Sequence, residues 1–169
     1  MKFLILGGLH RSGTSLIHEI LKEHVDVGGI SGSPAMEDEG QHLQTVFKAA
    51  NKYGGPGKFA FNSLAYMDEN HPLASSENGQ KIIREWARFG DFNRNYFIEK
   101  SPPNLIRFRF FQKIWPDIRA VMIFRHPLAV SYATQKWCST DIISLLDHTL
   151  TAYEIFMQDK PYLKNIIEI

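Results

Sequence analysis

Eight residues near the start of the chain have the types and spacing of an anion-binding loop. Gly8 and Gly13 are separated by four residues, and Thr14 follows the second glycine. This is the spacing of a phosphate-binding P-loop, in which backbone amides at a helix N-terminus hold phosphate oxygens. The loop differs from that of a nucleotide triphosphatase, because Thr14 stands where a lysine would reach the β- and γ-phosphates. The pattern predicts an anion cradle formed by the amides of residues 12–15, with Arg11 as its cation.

Two further cations follow predicted strands. Lys100 comes just after the apolar run at 96–98, and Arg125 comes directly after the run at 120–124. Ligands of α/β folds bind at the carboxyl ends of the strands, so both cations are expected at the edge that carries the loop. Two cations and an anion cradle at one edge indicate a ligand with several phosphate-like groups. The alternative for each cation is an ordinary surface charge.

Strands and helices that could position these residues alternate along the chain. Short apolar runs predict strands at 3–6, 25–30, 96–98, 120–124 and from 165 onward. Helical spacing of apolar residues predicts helices at 14–23, 43–50, 82–87, 104–115, 128–137 and 143–157. The alternation predicts a P-loop-like α/β fold of three layers, with a central, mostly parallel sheet flanked by helices. Residues 1–169 are expected to form one domain, in which 52–76 is a loop or insertion that faces the substrate.

Composition excludes several classes of protein. Nineteen Lys and Arg residues against eighteen Asp and Glu residues give a net charge of +1, which argues against a nucleic-acid partner. The single cysteine, Cys138, and the absence of a signal-peptide pattern predict a cytoplasmic protein. No segment has the length of a membrane span, and the seven histidines show no metal-ligand spacing, so neither a membrane nor a metal is expected.

The motifs resemble those of the sulfotransferases that use 3′-phosphoadenosine-5′-phosphosulfate. The loop at 8–15 is similar to that family's loop for the 5′-phosphosulfate, and the segment at 123–130 is similar to its segment for the 3′-phosphate. The order and spacing of Glu99-Lys100-Ser101-Pro102-Pro103, a helix, Trp115-Pro116-Asp117, a strand and Arg125 resemble those of the tyrosylprotein sulfotransferases and their bacterial relatives. The resemblance covers most of the chain outside about 52–95.

The resemblance implies an enzyme that moves a sulfuryl group from this phosphosulfate co-substrate to a hydroxyl of a small molecule, glycan or peptide. No metal is expected, because the transfer depends on in-line positioning and on stabilisation of charge. Lys100 matches the lysine that stabilises the transferring sulfuryl group in the tyrosylprotein enzymes. The residues that match the donor-binding positions are Arg11, Ser12, Gly13, Thr14, Ser15 and Arg125.

The general base is less directly indicated. Cytosolic small-molecule sulfotransferases carry a histidine base two residues after the lysine, where this chain has Pro102. Tyrosylprotein and heparan-type relatives use a glutamate after the second strand, which implies Glu39 or Glu37 as the base. The alternative is that these acids cap a helix that begins near Gln41. The remaining candidates are Asp38, and after it His42 or His10.

The chain departs from the family pattern at two further places. A serine usually lies eight residues after the 3′-phosphate arginine, but here that residue is Ala133; Ser131 or Thr134 could replace it only if the helix were rotated. The resemblance also implies further elements after the strand near Asn165, so an incomplete C-terminus is expected. Two other functions remain open: a P-loop nucleotide or small-molecule kinase, and a non-catalytic remnant that only binds the nucleotide.

Overall fold

The computed structural model describes all 169 residues, which fold around one five-stranded sheet. The strands are β1 (Lys2–Gly8), β2 (Val27–Gly29), β3 (Tyr96–Lys100), β4 (Arg119–Ile123) and β5 (Ile166–Glu168). Every pairing is parallel, and the order across the sheet is β2-β3-β1-β4-β5. The predicted α/β fold is therefore confirmed, and each strand predicted from an apolar run is present.

Five α-helices flank the sheet. They are α1 (Thr14–Lys22), α2 (Ser76–Trp86), α3 (Phe108–Ile114), α4 (Pro127–Gln135) and α5 (Ile142–Asp159). Ser75 and Asp141 cap α2 and α5, because each side chain accepts a hydrogen bond from an amide of the first turn. α1 has no side-chain cap, and Gly13 precedes it with a left-handed φ of 109°. No helix combines the length and the apolar character needed to cross a membrane.

The central strands are buried on both faces of the sheet. In β1, Phe3 and Ile5 belong to the larger core cluster, whereas Leu4 and Leu6 belong to a smaller cluster on the opposite face. α1 packs on the smaller cluster through Ile17. Burial on both faces explains why β1 is apolar from Phe3 to Leu6 and does not alternate with polar residues.

The helix predicted over 43–50 is wrong, since this segment is irregular. The buried Gln44 side chain accepts hydrogen bonds from the amides of Val46 and Phe47, at 2.7 and 2.9 Å. It also donates to the carbonyls of Gln41 and Phe47, at 3.0 and 2.7 Å. Because one side chain satisfies these backbone groups, they need no helical partners. The helix that the acidic residues could have capped is therefore absent.

The helix predicted over 104–115 is interrupted. Pro102–Ile106 form a 3₁₀ helix, and α3 begins only after Arg107, whose backbone is not helical (φ −138°, ψ 7°). The buried Arg107 side chain donates to the carbonyls of Ala65 and Lys48, at 3.0 and 3.2 Å. These bonds hold the turn against two irregular segments of the chain, which favours a break at this position.

Residues 52–76 contain short 3₁₀ turns and no longer element before α2. Phe59 and Ala65 are fully buried, and the Phe59 ring packs against His148 of α5. Gly55 and Pro56 line a cleft at the carboxyl edge of the sheet. One part of this segment therefore completes the core, and another part forms the rim of the cleft.

Candidate active site

The loop between β1 and α1 leaves backbone amides free at the N-terminus of the helix. The amide of Ser12 closes a turn by donating to the carbonyl of Leu9 at 3.0 Å, so it does not belong to the predicted cradle. The amides of Gly13, Thr14 and Ser15 donate to no group of the protein. Three neighbouring free donors at the positive end of a nine-residue helix favour an anion.

The strand register brings Lys100 and Arg125 to opposite sides of this loop. β1 lies between β3 and β4, with Leu6 opposite Lys100 and Gly8 opposite Ile123. Arg125 follows Ile123 by two residues. The two cations predicted for one edge therefore flank the loop, as expected for parallel strands that end together.

A cleft of about 780 Å³ opens at this edge. Its lining includes most of the predicted site residues, namely Arg11, Gly13, Thr14, Ser15, Glu37, Glu39 and Arg125, together with His10, His42 and Trp137. Ser12 is buried beside the cleft, and its hydroxyl has no hydrogen-bond partner. Lys100 lies beneath the lining with only 1% of its surface exposed. The loop and both acidic candidates thus share one cleft.

Lys100 is paired with both acidic candidates. Its Nζ atom lies 3.2 Å from an oxygen of Glu37 and 3.5 Å from an oxygen of Glu39. A buried ammonium needs such partners, because an unpaired charge in the interior is strongly destabilising. The ammonium of Lys100 therefore lies within 3.5 Å of both carboxylates.

Glu37 reaches the anion-binding loop itself. Its carboxylate accepts a hydrogen bond from the Ser15 hydroxyl and another from Lys100. The Ser15 hydrogen bond and the Lys100 charge lower the pKa of Glu37, although partial burial opposes them. Its backbone has a left-handed φ of 51°, and its side chain is 41% exposed. Glu37 is thus an ionised carboxylate at the entrance of the anion cradle.

Glu39 occupies a different environment from Glu37. It is 8% exposed, and its carboxylate accepts a hydrogen bond from the Gln41 side chain at 2.5 Å. The His42 ring lies 3.7 Å from the same carboxylate. Burial raises the pKa of Glu39, although Lys100 and the Gln41 hydrogen bond oppose the increase. A buried carboxylate with a raised pKa, beside a cation and in a cleft, has the properties of a general base.

Asp38 and the two histidine candidates have other surroundings. The Asp38 carboxylate accepts hydrogen bonds from the amides of Ser33 and Gly32, at 2.8 and 3.2 Å, and closes its own loop. Asp38 does not line the cleft. His10 does, and burial together with nearby Lys100 lowers its pKa to about 4, so its ring is neutral at physiological pH. Its Nδ1 atom has no hydrogen-bond partner.

The turn that carries Arg125 is fixed by a tyrosine that the sequence did not indicate. The Tyr153 hydroxyl of α5 accepts a hydrogen bond from the Arg125 amide at 3.1 Å and donates to the Arg125 carbonyl at 2.9 Å. The guanidinium of Arg125 donates to the carbonyl of Arg11 at 2.8 Å. The Arg11 guanidinium stacks over Trp137, 4.5 Å from the ring centre. α5 therefore supports Arg125, and the segment between α4 and α5 supports Arg11. Both arginines line the cleft.

Ser131 is not brought into the cleft with Arg125. It is 1% exposed, and its hydroxyl donates to the carbonyl of Pro127 in its own helix at 2.8 Å. Thr134, the alternative, is also buried and directs its hydroxyl toward the carbonyl of His10 at 3.4 Å. Neither hydroxyl makes a hydrogen bond to the Arg125 guanidinium, and neither residue lines the cleft.

A buried network at the end of β3 holds the acidic segment in place. Glu99 accepts a hydrogen bond from the amide of Gly40 at 3.0 Å, and the Trp86 side chain donates to the carbonyl of Gly40 at 2.9 Å. The Ser101 hydroxyl accepts a hydrogen bond from the amide of Gln41 at 3.1 Å. Sequence reasoning assigned no role to these residues. Two signals pointed to Glu99: it is an acid that continues an apolar strand, and it lies in the segment 99–103 that resembles the tyrosylprotein sulfotransferases.

Comparison with protein-family models matches residues 4–165 to a model described as "Sulfotransferase family". No curated protein sequence matches the chain. No group of three or more histidine, cysteine or acidic side chains is arranged to hold a metal ion. Because the family match covers nearly the whole chain, the chain belongs to the sulfotransferase family, as the resemblance of its motifs implied.

Proposed function

We propose that this sulfotransferase moves a sulfuryl group from 3′-phosphoadenosine-5′-phosphosulfate to the hydroxyl group of an acceptor. The observation that carries the proposal is the set of free amides of Gly13, Thr14 and Ser15 in a cleft that Arg125 also lines, with Lys100 buried behind two carboxylates of that cleft. This donor has one anionic group for each site: the 5′-phosphosulfate for the amides and the 3′-phosphate for Arg125.

The loop and Arg125 would share the binding of the donor. The free amides and the Ser15 hydroxyl suit the 5′-phosphosulfate, and the unpartnered hydroxyl of Ser12 is a further donor beside them. Arg125, on the other side of β1, suits the 3′-phosphate, because a guanidinium can donate two hydrogen bonds to one phosphate. Thr14 stands at the motif position of the P-loop lysine that triphosphate chemistry requires, which argues against a kinase.

Glu39 is the better candidate for the general base. In the transfer, the acceptor oxygen forms a bond to sulfur while the bond from sulfur to the bridging phosphate oxygen breaks. The acceptor proton passes to Glu39, and the electron pair of the broken bond leaves with adenosine 3′,5′-bisphosphate. The raised pKa of Glu39 favours proton acceptance, whereas Glu37 is held ionised by Ser15 and Lys100.

Lys100 would balance the charge that develops during this step. Its ammonium lies within 3.5 Å of Glu39, and it is shielded from solvent. A cation in such surroundings stabilises developing negative charge more strongly than one in water. The same ammonium pairs with the ionised Glu39 carboxylate before the proton is accepted.

Calorimetric titration tests the donor assignment without knowledge of the acceptor. Adenosine 3′,5′-bisphosphate should bind without Mg²⁺, and ATP with Mg²⁺ should bind more weakly. Arg125→Ala should raise the Kd of adenosine 3′,5′-bisphosphate by about tenfold or more and leave the Kd of adenosine 5′-phosphate nearly unchanged. Only the bisphosphate has a 3′-phosphate. Arg84→Ala removes an exposed arginine of α2 outside the cleft and serves as the control. Tighter binding of ATP with Mg²⁺, or equal losses for both adenosine ligands, would contradict the proposal.

A further inference from the structure

Glu99 is a buried acid that the proposed chemistry does not use. It lies in β3 directly before Lys100 and is fully enclosed. Its two carboxylate oxygens accept three hydrogen bonds: from the Gly40 amide at 3.0 Å, from the Ser101 hydroxyl at 2.5 Å and from the Asn104 side chain at 2.6 Å. Every partner is a donor, so the position is built for a carboxylate.

The partners of Glu99 hold the segment that carries Glu39. Gly40 is the next residue after Glu39, and its carbonyl is fixed separately by Trp86. A Cβ atom at Gly40 would lie 2.7 Å from the Glu99 side chain and 2.9 Å from the Trp86 ring, so only glycine fits this contact. The Ser101 hydroxyl also holds the Gln41 amide. The backbone on the C-terminal side of Glu39 is therefore bound to the strand end that carries Lys100.

We propose that Glu99 is a positioning residue for sulfuryl transfer, which fixes the carboxylate of Glu39 against Lys100 through the Gly40 amide. The inference rests on the proposed function, in which Glu39 is the base. Positioning of this kind has large consequences for the rate, since a displacement of about 1 Å between reacting groups can lower it by about 10²-fold. Glu99 itself contacts no reacting atom.

The charge of Glu99 is part of this role. Burial raises its pKa to about 7, and the Glu39 carboxylate contributes in the same direction. The Ser101 and Asn104 hydrogen bonds and the Lys100 charge oppose the increase. A protonated Glu99, or a glutamine in its place, would present a hydrogen-bond donor to a partner that also donates. One hydrogen bond of the network would then be lost.

The test compares Glu99→Gln with the wild-type protein and with Glu85→Gln. Glu85 is a matched control because its carboxylate also accepts hydrogen bonds from the irregular segment that follows Glu39. These bonds come from the amide and the hydroxyl of Thr45, and not from the residue next to Glu39. The assay follows the release of radiolabelled sulfate from 3′-phosphoadenosine-5′-phosphosulfate with water as acceptor. A parallel titration measures the Kd for adenosine 3′,5′-bisphosphate.

Glu99→Gln should lower kcat by about 10²-fold at pH 8 and leave this Kd unchanged. The ratio of wild-type to variant kcat should decrease as the pH falls below about 7, because the wild-type residue then becomes neutral as well. Ser101→Ala, a milder change, should give a smaller loss of kcat with the same Kd. Glu85→Gln should leave both quantities unchanged.

The outcomes separate this inference from the proposed function. Wild-type protein that does not bind adenosine 3′,5′-bisphosphate in the absence of Mg²⁺ would overturn the proposed function and the role of Glu99 with it. Active wild-type protein with an unaffected Glu99→Gln variant would overturn only the role of Glu99. A loss of kcat that is equal at pH 6 and pH 8 would also overturn it, because a general structural defect does not depend on the charge at this position.

Discussion

Lys100 is buried between two carboxylates, and this arrangement defines what its removal would do. The ammonium stabilises two negative charges at 3.2 and 3.5 Å, and one of them belongs to the candidate base. Without the cation, the pKa of Glu39 would rise further, since Lys100 is the main influence that opposes burial. The residue therefore affects both the charge of the transition state and the protonation of the base.

Lys100→Met, which keeps most of the apolar stem, should lower kcat by about 10²–10³-fold, by analogy with the removal of an oxyanion donor. The rise of activity with pH should also shift to higher pH, because the base then holds its proton more tightly. Sulfate release measured between pH 5 and 9 provides both readings. A variant that binds the bisphosphate less tightly but keeps its kcat would assign Lys100 to the donor site instead.

Glu37 and Glu39 are expected to respond differently to the same substitution. The Glu37 carboxylate contacts Ser15 and Lys100, two groups that the anion of the donor would also use. Glu37→Gln should therefore lower the Kd of adenosine 3′,5′-bisphosphate by about tenfold. This change in binding free energy corresponds to one charged hydrogen bond. Glu39→Gln should abolish transfer and leave the affinity nearly unchanged. Calorimetry and sulfate release on the two variants make the comparison, and a reversed pattern would identify Glu37 as the base.

At the scale of elements, α5 supports the 3′-phosphate side of the cleft. The Tyr153 hydroxyl holds both backbone groups of Arg125, and its ring packs against Phe124. Tyr153→Phe keeps the ring and removes the two hydrogen bonds, which are worth about 1 kcal/mol each. The affinity for adenosine 3′,5′-bisphosphate should fall by about fivefold or more, with no change for adenosine 5′-phosphate.

Tyr132→Phe is the control for this prediction, because Tyr132 is an exposed tyrosine of α4 outside the cleft. It should leave the affinity for both ligands unchanged. Equal weakening of both ligands by Tyr153→Phe would indicate that Tyr153 supports the whole cleft and not the Arg125 turn alone.

The sequence predicted elements well where one physical factor dominates. Apolar runs predicted all five strands, and parallel strands end together, so the placement of Lys100 and Arg125 beside the loop followed from order alone. The helix over 43–50 failed because Gln44 satisfies the local backbone, which spacing of apolar residues does not reveal. The role of Tyr153 depends on a contact 28 residues away and has no local signal.

At the scale of the whole molecule, the topology explains why one cleft collects these groups. The chain adds β2 and β3 on one side of β1 and then β4 and β5 on the other, so the direction of winding reverses beside β1. The loop after β1 lies at this switch point, where ligands of α/β sheets bind. The larger core cluster supports the cleft through Phe59, Trp86 and the 3₁₀ helix Pro102–Ile106.

Two buried ionisable groups, His148 and Glu99, change the free energy of unfolding of the whole molecule in opposite directions as the pH falls. Burial lowers the pKa of His148 to about 3, so its contribution to stability is lost as the pH falls below the unfolded value of about 6.5. Burial raises the pKa of Glu99 to about 7, so the folded state binds a proton that the unfolded state releases above about pH 4.5. Between pH 4.5 and 6.5 the two groups change the free energy of unfolding in opposite directions.

Substitution of either group should therefore tilt the stability curve in a predictable direction. Without the Glu99 proton, the free energy of unfolding of Glu99→Gln should fall more steeply on acidification than that of the wild type, by up to about 1.4 kcal/mol per pH unit. His148→Gln should fall less steeply by a similar amount, because the unfolded state no longer gains a proton at this position. Urea denaturation at half-unit steps of pH from 4.5 to 6.5 measures the slopes. The two variants serve as controls for each other. If both substitutions changed the slope in the same direction, the shifted pKa of Glu99 or of His148 would not be the cause of the pH dependence.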